Sequence, residues 1–424
     1  MLMRALRDWL AGPGARLEFR PVADFTPSLR GPAGLYVHVP FCRSLCPYCP
    51  YLRQRYQPEL VAPYLAAVGR ELRWYAERLP GLQATSVYFG GGTPTVLDDA
   101  LPGFVDQLRS RFAPSGPFCI ETTPADLSES KIRVLEQAGF ESVSLGVQSF
   151  DPATLRRIGR DYPPAATERA LDRLGRSAIG SLNVDLMFAV PGQTAESWQT
   201  DIERAAAGPA TQITAYPLFT FPYSAVGRAV ALRRLHMPSL AMRRRQYFQL
   251  YDTLTRSGFR RVSVWSFSRT PQAHSFSSVT RQRYLGFGPG AGTCTGPAFT
   301  FNTFSLREYE RATADRGHAV ALAMDLTPRL QVLQDVYWRM YETRVPLERH
   351  AEGLDYRLEE IPRLWPLLAA SERLGLCRRT GEDLELSRQG SFWLHWLQNY
   401  LALPAVNTLW TASQAQAWPG AVAI

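Results

Sequence analysis

Cys42, Cys46 and Cys49 lie in the run Tyr-Val-His-Val-Pro-Phe-Cys-Arg-Ser-Leu-Cys-Pro-Tyr-Cys. Their C-x3-C-x2-C spacing offers three thiolates to a cube of iron and sulfide that takes four ligands. A 4Fe–4S cluster held by four cysteines is usually an electron carrier, whereas one held by three leaves an iron open to bind something else. Zinc would call for paired C-x2-C units or for histidines at fixed spacing. His38 lies four residues before Cys42, but within the alternating run of Leu35, Val37 and Val39, which reads as a strand that fixes its side chain. The other three of the six cysteines, Cys119, Cys294 and Cys377, are scattered singly and read as buried small hydrophobes or loop residues. Met1 to Arg20 carries Arg4, Arg7, Asp8 and Arg16 and has no apolar h-region. Sparse cysteines and this opening point to a reducing cytoplasm, where a labile cluster survives.

The elements that must position these thiols follow from the apolar pattern. Short apolar runs at 35–39, 86–89, 118–122, 142–147, 181–188 and 212–217 read as strands. Helical patterns at 58–77, 101–112, 129–138, 164–176 and 196–207 alternate with them. Strand–helix steps of this kind predict a parallel sheet covered by helices, closed or nearly closed into a partial (β/α) barrel of about six strands. Functional side chains are then expected at the C-terminal strand ends. Residues 1–33, rich in Pro and Gly, read as a loose lead-in, and 34–305 as the barrel with its extension. From 320 to 392, two helices (326–342 and 361–374) and a hairpin turning near Thr380-Gly381 predict a winged-helix-like domain that caps the barrel. Residues 393–424 form a tail with Trp393, Trp396, Trp410 and Trp418, expected to pack against the body.

Composition narrows the partners. The 424 residues are 46% hydrophobic, and no apolar run reaches the roughly 18 residues of a membrane span. The net charge of +9 is spread along the chain, and Lys131 is the only lysine among 47 basic residues, a bias that looks like genome composition. The densest basic cluster, Arg243-Arg244-Arg245, reads as a solvated helix face, so nucleic acid is not expected as a partner.

Several strand ends carry chemistry. Gly90-Gly91-Gly92-Thr93-Pro94-Thr95 follows one strand, and glycines there allow close backbone approach to a ligand. Glu121 ends the next strand, Gln148 follows Gly146-Val147, and Asp185 sits in the run before Pro191-Gly192-Gln193-Thr194. Polar side chains around an open iron suit a nucleotide that bears an amino acid, with the amine and carboxylate chelating the metal. The set resembles the radical S-adenosylmethionine (SAM) superfamily, and within it the coproporphyrinogen dehydrogenase-like HemN/HemW branch. The resemblance rests on Tyr36 through Cys49, the glycine run, Glu121, Ser144 to Phe150, Gly159-Arg160, Asp185 to Thr194, and Tyr284 to Gly292.

That resemblance implies that Cys42, Cys46 and Cys49 ligate a 4Fe–4S cluster, which passes one electron to SAM and yields a 5′-deoxyadenosyl radical. It implies SAM contacts from Tyr36, Gly92 and Glu121. It implies a second SAM lined by Tyr48, Gly91, Thr93, Gln148, Arg160 and Asp185. It also implies a small-molecule substrate and an electron donor such as flavodoxin or ferredoxin. The departures from the family pattern bear on which member this is. The His-Asn-x-x-Tyr-Trp motif of the heme chaperones is missing around His274, and Ala291-Gly292-Thr293 stands where Ala-His-Ser is common. The unusual stretch from Ser263 to Ser268 and on through Ser278 to Arg281 is expected to reshape the substrate pocket. The leading expectation is therefore transfer of a one-carbon unit, by C-methylation or cyclopropanation, to an unsaturated or aromatic acceptor. Oxidative decarboxylation of coproporphyrinogen III and a heme chaperone remain the alternatives.

Overall fold

A computed structural model describes residues 2–424 except Gly14, Arg16, Arg30, Asp161, residues 271–282 and Glu352. Six strands run parallel in sequence order: Ala33–Val39, Ala84–Gly91, Phe118–Thr122, Ser142–Gln148, Ser181–Phe188 and Gln212–Pro217. A seventh, Tyr284–Phe287, pairs parallel with the first strand on its other side. Side chains of one parity, such as Val37, Phe89, Ile120, Leu145, Val184 and Ile213, are fully buried in the main apolar core. The helices Val61–Arg78, Ala100–Phe112, Glu129–Gln137, Pro164–Gly175 and Ala195–Ala207 contribute buried apolar faces. Their starts are chemically marked: Ser128 accepts from Lys131 N, and Thr194 forms a capping box with Ser197. Side chains of the opposite parity are polar and face the concave side. They include Tyr36, His38, Tyr88, Glu121, Ser144, Asn183, Asp185 and Thr214, a sequence of cross-strand neighbours set by the register.

The sheet does not end with the barrel. Gly292–Cys294, Ala298–Asn302 and Val320–Asp325 add an antiparallel meander, and Glu18–Pro21 pairs with Val320–Asp325 on one side and Val422–Ala423 on the other. The lead-in is therefore not loose: it holds a helix, Leu2–Ala11, and this strand, whose Phe19 is buried against Phe299 and Phe301. The first and last segments thus meet in one sheet, with Ile424 N donating to Leu17 O at 2.8 Å.

The C-terminal region follows the winged-helix pattern. Pro328–Tyr341 and Leu364–Arg373 are its helices, and Cys377–Thr380 and Asp383–Leu386 its hairpin, joined by Arg344–Pro346 as a third strand. It is anchored to the barrel: Val264 N donates to Tyr341 O, and Arg261 donates to Leu386 O. The tail is a 28-residue helix, Arg388–Ala415, with Pro404 inside it. Trp410 packs edge-on against Phe301 and Phe304, and Trp265 donates to His395 at 3.0 Å. Of the stretch expected to reshape the pocket, Ser266–Ser268 is a strand paired antiparallel with Gln212–Pro217. Residues 271–282, which include His274 and Ser278 to Arg281, lie outside the described residues. Among the described residues, no helix is long and apolar enough to cross a membrane.

Candidate active site

The three cysteines occupy one loop that leaves the first strand. A two-residue ladder, Phe41 with Gln54 and Cys42 with Arg55, ties the loop off at its base. Within it Cys49 N donates to Cys46 O at 3.3 Å, and Arg53 Nη2 donates to the same carbonyl at 2.5 Å. All three thiols are free, and Thr93 Oγ1 donates to Cys42 Sγ at 3.7 Å. Burial raises the Cys42 thiol and pushes Cys49 up to about 11, and each feels the charge of the neighbouring loop cysteines. Among the described residues, no three His, Cys, Asp or Glu side chains converge as they would on a single ion. The other cysteines lie elsewhere: Cys119 beside Tyr88, Cys294 near Gln334, and Cys377 in the C-terminal core. The residues present thus fit a cluster with three protein ligands.

The glycine run abuts this loop. Gly92 N donates to Val39 O, and Thr93 N donates to Phe41 O, each at 2.7 Å. A Cβ on Gly92 would sit 2.4 Å from Phe41 O, and one on Gly91 (φ +109°) would sit 2.6 Å from the His38 ring. Both glycines are thus required by the chain's own close packing. Gly90 is the one whose missing Cβ faces the interior, where the nearest atoms belong to Tyr88, Glu121 and Tyr36.

His38 belongs to this interior and has both ring nitrogens engaged. Leu52 O can only accept, so Nε2 donates to it (2.9 Å), and Nδ1 is left to accept from Tyr36 Oη at 3.0 Å. Burial lowers the His38 pKa to about 4, which keeps the ring neutral. Tyr36 stacks on Tyr88, and Tyr88 Oη donates to Glu121 Oε1 at 2.7 Å. The other Glu121 oxygen accepts from Gly91 N at 3.2 Å. Burial holds the Glu121 carboxyl above its ordinary range against both hydrogen bonds.

A second polar group lies along the next strands. Asp185 accepts from Ser144 Oγ at 2.9 Å and from Asn183 Nδ2 at 2.8 Å. Burial pushes its carboxyl up to about 7, with Glu121 adding to the shift and Arg160 opposing it, so these three charges share one space. Arg160 donates to Gly146 O at 3.1 Å and to Tyr48 Oη at 3.2 Å, while its Nε is shielded from solvent with no partner among the described residues. Gln148 sits at φ +67° beside a register shift, and its Oε1 accepts from Tyr216 Oη. The residues singled out by the sequence are thus spread over the cysteine loop, the glycine run packed against it, the polar side of the strands, and the segment after the helix Pro152–Arg157 that carries Arg160. The structure adds Tyr51, Tyr88, Asn183 and Tyr216. Tyr51 keeps 54% of its surface exposed, and desolvation of its hydroxyl end raises its pKa, with the charges of Glu121, Cys49, Tyr341 and Asp185 adding to the shift. Period-two alternation along the strands was the available signal for Tyr88 and Asn183.

The radical SAM superfamily model matches residues 36–205, a span that holds the cysteines, Tyr36, Tyr48, Glu121, Gln148, Arg160 and Asp185 but not Tyr216. The fold superposes on coproporphyrinogen III oxidase (HemN) from Escherichia coli with a TM-score of 0.72 over 88% of this chain and 90% of that one, at 22% identity. The chain is 26% identical to the heme chaperone HemW of Bacillus subtilis over 84% of its length and 95% of the relative. The matched domain and these relatives support the HemN/HemW branch of the radical SAM superfamily for this chain. Two further relatives bracket that branch. Anaerobilin synthase of Escherichia coli O157:H7 is 28% identical over 85% of this chain and 81% of its own. Oxygen-independent coproporphyrinogen III oxidase of Cereibacter sphaeroides is 28% identical over 87% and 86%. This radical SAM enzyme has a 4Fe–4S cluster and SAM as its cofactors.

Proposed function

We propose that this HemN-like enzyme carries out oxidative chemistry on a tetrapyrrole, with decarboxylation of a coproporphyrinogen-type propionate as the leading reaction. The observation that carries this reading is the alignment, over more than four-fifths of both chains, with a coproporphyrinogen III oxidase. None of the relatives named above is called a methyl- or cyclopropane-transferring enzyme, so one-carbon transfer becomes the second reading. That second reading is favoured by the presence of Tyr48, Gln148, Arg160 and Asp185, with Arg160 paired to Tyr48 and Asp185 close enough to Glu121 and Arg160 for their charges to interact.

Cys42, Cys46 and Cys49 are proposed as the protein ligands of the cluster. With SAM and the reduced cluster bound, the site would supply a 5′-deoxyadenosyl radical able to take one hydrogen atom from the substrate, and decarboxylation would then release one electron to a one-electron acceptor along with carbon dioxide. The chain's own residues bind and orient. Tyr36 and the Glu121 carboxylate, fixed by Tyr88 and Gly91, line the space next to the cysteine loop and suit the SAM held there. Gly92 sets the distance between that space and the loop. Arg160, a cation with a spare buried N–H and no carboxylate partner among the described residues, suits the carboxylate of a second SAM. Tyr48 orients its guanidinium, and Gly91, Thr93, Gln148 and Asp185 complete that second region. The concave wall excludes bulk water from the reacting atoms. A reduced one-electron carrier is proposed as the donor.

Anaerobic turnover with coproporphyrinogen III and SAM tests this reading. Release of carbon dioxide together with 5′-deoxyadenosine is expected. S-adenosylhomocysteine with no carbon dioxide would instead establish the one-carbon transferase.

A further inference from the structure

A basic depression opens beside Arg43, the residue that follows Cys42 in the cysteine loop. Its volume is about 340 Å³, and Arg43, Lys131, Arg169 and Arg173 line it, with Asp126 and Ser128 between them. Arg43 follows Cys42 directly in the chain, so their Cα atoms are about 3.8 Å apart. The floor connects to the cysteine through a short chain of contacts. Thr93 donates to Cys42 Sγ, and two residues on Thr95 donates to Asp126 Oδ2 at 2.6 Å. Asp126 is buried and already neutralised, accepting from Arg43 Nε at 2.8 Å and from Lys131 Nζ at 2.6 Å. Asp98 lies 3.0 Å from Lys131 and 3.4 Å from Arg43, and Glu129 lies 3.7 Å from Arg173. Arg169 is exposed and has no ion pair among the described residues. Arg55, the ladder partner of Cys42, is likewise exposed and without an ion pair among them. The surface behind the cysteine loop therefore presents positive charge that its own carboxylates do not cancel.

The direction from which an electron can arrive is set by the same geometry. Tyr36, Glu121 and Asp185 occupy the concave side of the loop, the side assigned to SAM. With that side filled, a reducing partner reaches the cluster from the outer side, where Arg43 and Arg55 flank Cys42. We propose that this depression and the adjoining Arg55 form the docking surface for an acidic one-electron carrier protein of the flavodoxin or ferredoxin class. Arg55 and Arg169 steer it, and a carboxylate of the carrier enters the depression. This assignment rests on the three cysteines being the cluster ligands. The step is a single electron transfer: the carrier loses one electron, the cluster gains it, and no bond is made or broken. Charges placed around the approach path raise the association rate and make it fall with ionic strength.

The test uses the full-length reconstituted protein and follows cluster bleaching by anaerobic stopped-flow. The reductant is photoreduced flavodoxin in one series and titanium(III) citrate in the other. Arg55→Glu/Arg169→Glu is expected to slow reduction by flavodoxin about tenfold or more at low salt. The same variant should flatten the salt dependence and leave titanium reduction unchanged. Arg55→Gln/Arg169→Gln should fall between it and the wild type. Reduction of the charge-reversed variant by flavodoxin at the wild-type rate would overturn the proposal. Equal slowing with both reductants would also overturn it, because the arginines would then act on the cluster itself. A wild-type protein that reconstitutes no reducible cluster would sink both this surface and the ligand assignment. A cluster that is reduced without any SAM cleavage would refute the functional reading alone.

Discussion

Gly92→Ala is the perturbation that most directly probes how the fold holds the cysteine loop. The added methyl would lie 2.4 Å from Phe41 O and 2.9 Å from both Phe41 C and Val39 O, and all three atoms are backbone. Ordinary contact begins near 3.4 Å, so the glycine run and the loop base must separate by roughly an ångström. Two hydrogen bonds span that gap, Gly92 N to Val39 O and Thr93 N to Phe41 O, each at 2.7 Å. Weakening both costs about 1 kcal/mol apiece, and residual overpacking adds about 1–3 kcal/mol, for roughly 3–5 kcal/mol in all. Because Cys42 follows Phe41, the same displacement moves a thiol relative to the SAM space, and an ångström of misplacement is worth about 100-fold in rate. Urea denaturation, iron content and the rate of 5′-deoxyadenosine release measure the three consequences. Gly103→Ala is the control: it lies within the Ala100–Phe112 helix, and an added Cβ meets nothing within 4 Å, so it should stabilise by about 0.5–1 kcal/mol. A Gly92→Ala protein with wild-type stability and wild-type cleavage would refute the packing argument.

Other perturbations probe the same network. Asp126→Ala removes the buried carboxylate that Arg43 and Lys131 share, leaving Asp98 as their carboxylate partner, and is expected to cost about 1–3 kcal/mol, with reduced iron retention after gel filtration. Arg160→Gln removes the unpaired cation and should raise the KM for SAM about tenfold or more in a 5′-deoxyadenosine assay, with Arg160→Lys recovering only part of it. Glu71, buried against Tyr309, Gly288 and Asn302, has its carboxyl pushed up to about 7 by desolvation. Its folded pKa lies above its unfolded value, so the folded state holds the proton more tightly and stability drains away as pH rises from about 4.5 through 7. Glu71→Gln keeps the neutral form. Its stability relative to wild type should therefore improve by on the order of 1–3 kcal/mol between pH 5 and pH 8 in urea titrations, and a difference that does not move with pH would contradict the shift.

The barrel was legible because its strands are buried on both faces or pack under helices. Phe118–Thr122, Ser181–Phe188 and Gln212–Pro217 have the bounds the apolar runs indicate, and Ser128 and Thr194 mark helix starts chemically. The antiparallel extension was not legible, because its information is non-local. Glu18–Pro21 is four residues long, and one of its partners, Val422–Ala423, lies some 400 residues away. The helix Arg388–Ala415 is interrupted by Pro404, which removes a backbone donor, and so its aromatic residues read only as a tail. At the site, residue types and order located the cysteines, Glu121, Arg160 and Asp185. The physical reason for Gly91 and Gly92 was different from the one the sequence suggested: they admit His38 and Phe41 of the chain itself. Tyr51 gave no separate signal, because a tyrosine just past a cysteine loop has no periodicity to place it.

The two catalytic proposals diverge only after the radical has formed, and both require the loop of Cys42, Cys46 and Cys49 to carry a redox-active cluster. The most direct measurement is anaerobic reconstitution with iron and sulfide, reduction with dithionite, and quantification of 5′-deoxyadenosine from SAM, run beside Cys46→Ala. A brown wild-type protein that releases 5′-deoxyadenosine, beside a colourless and inactive variant, is the expected result. A Cys46→Ala protein that still cleaves SAM would contradict the account.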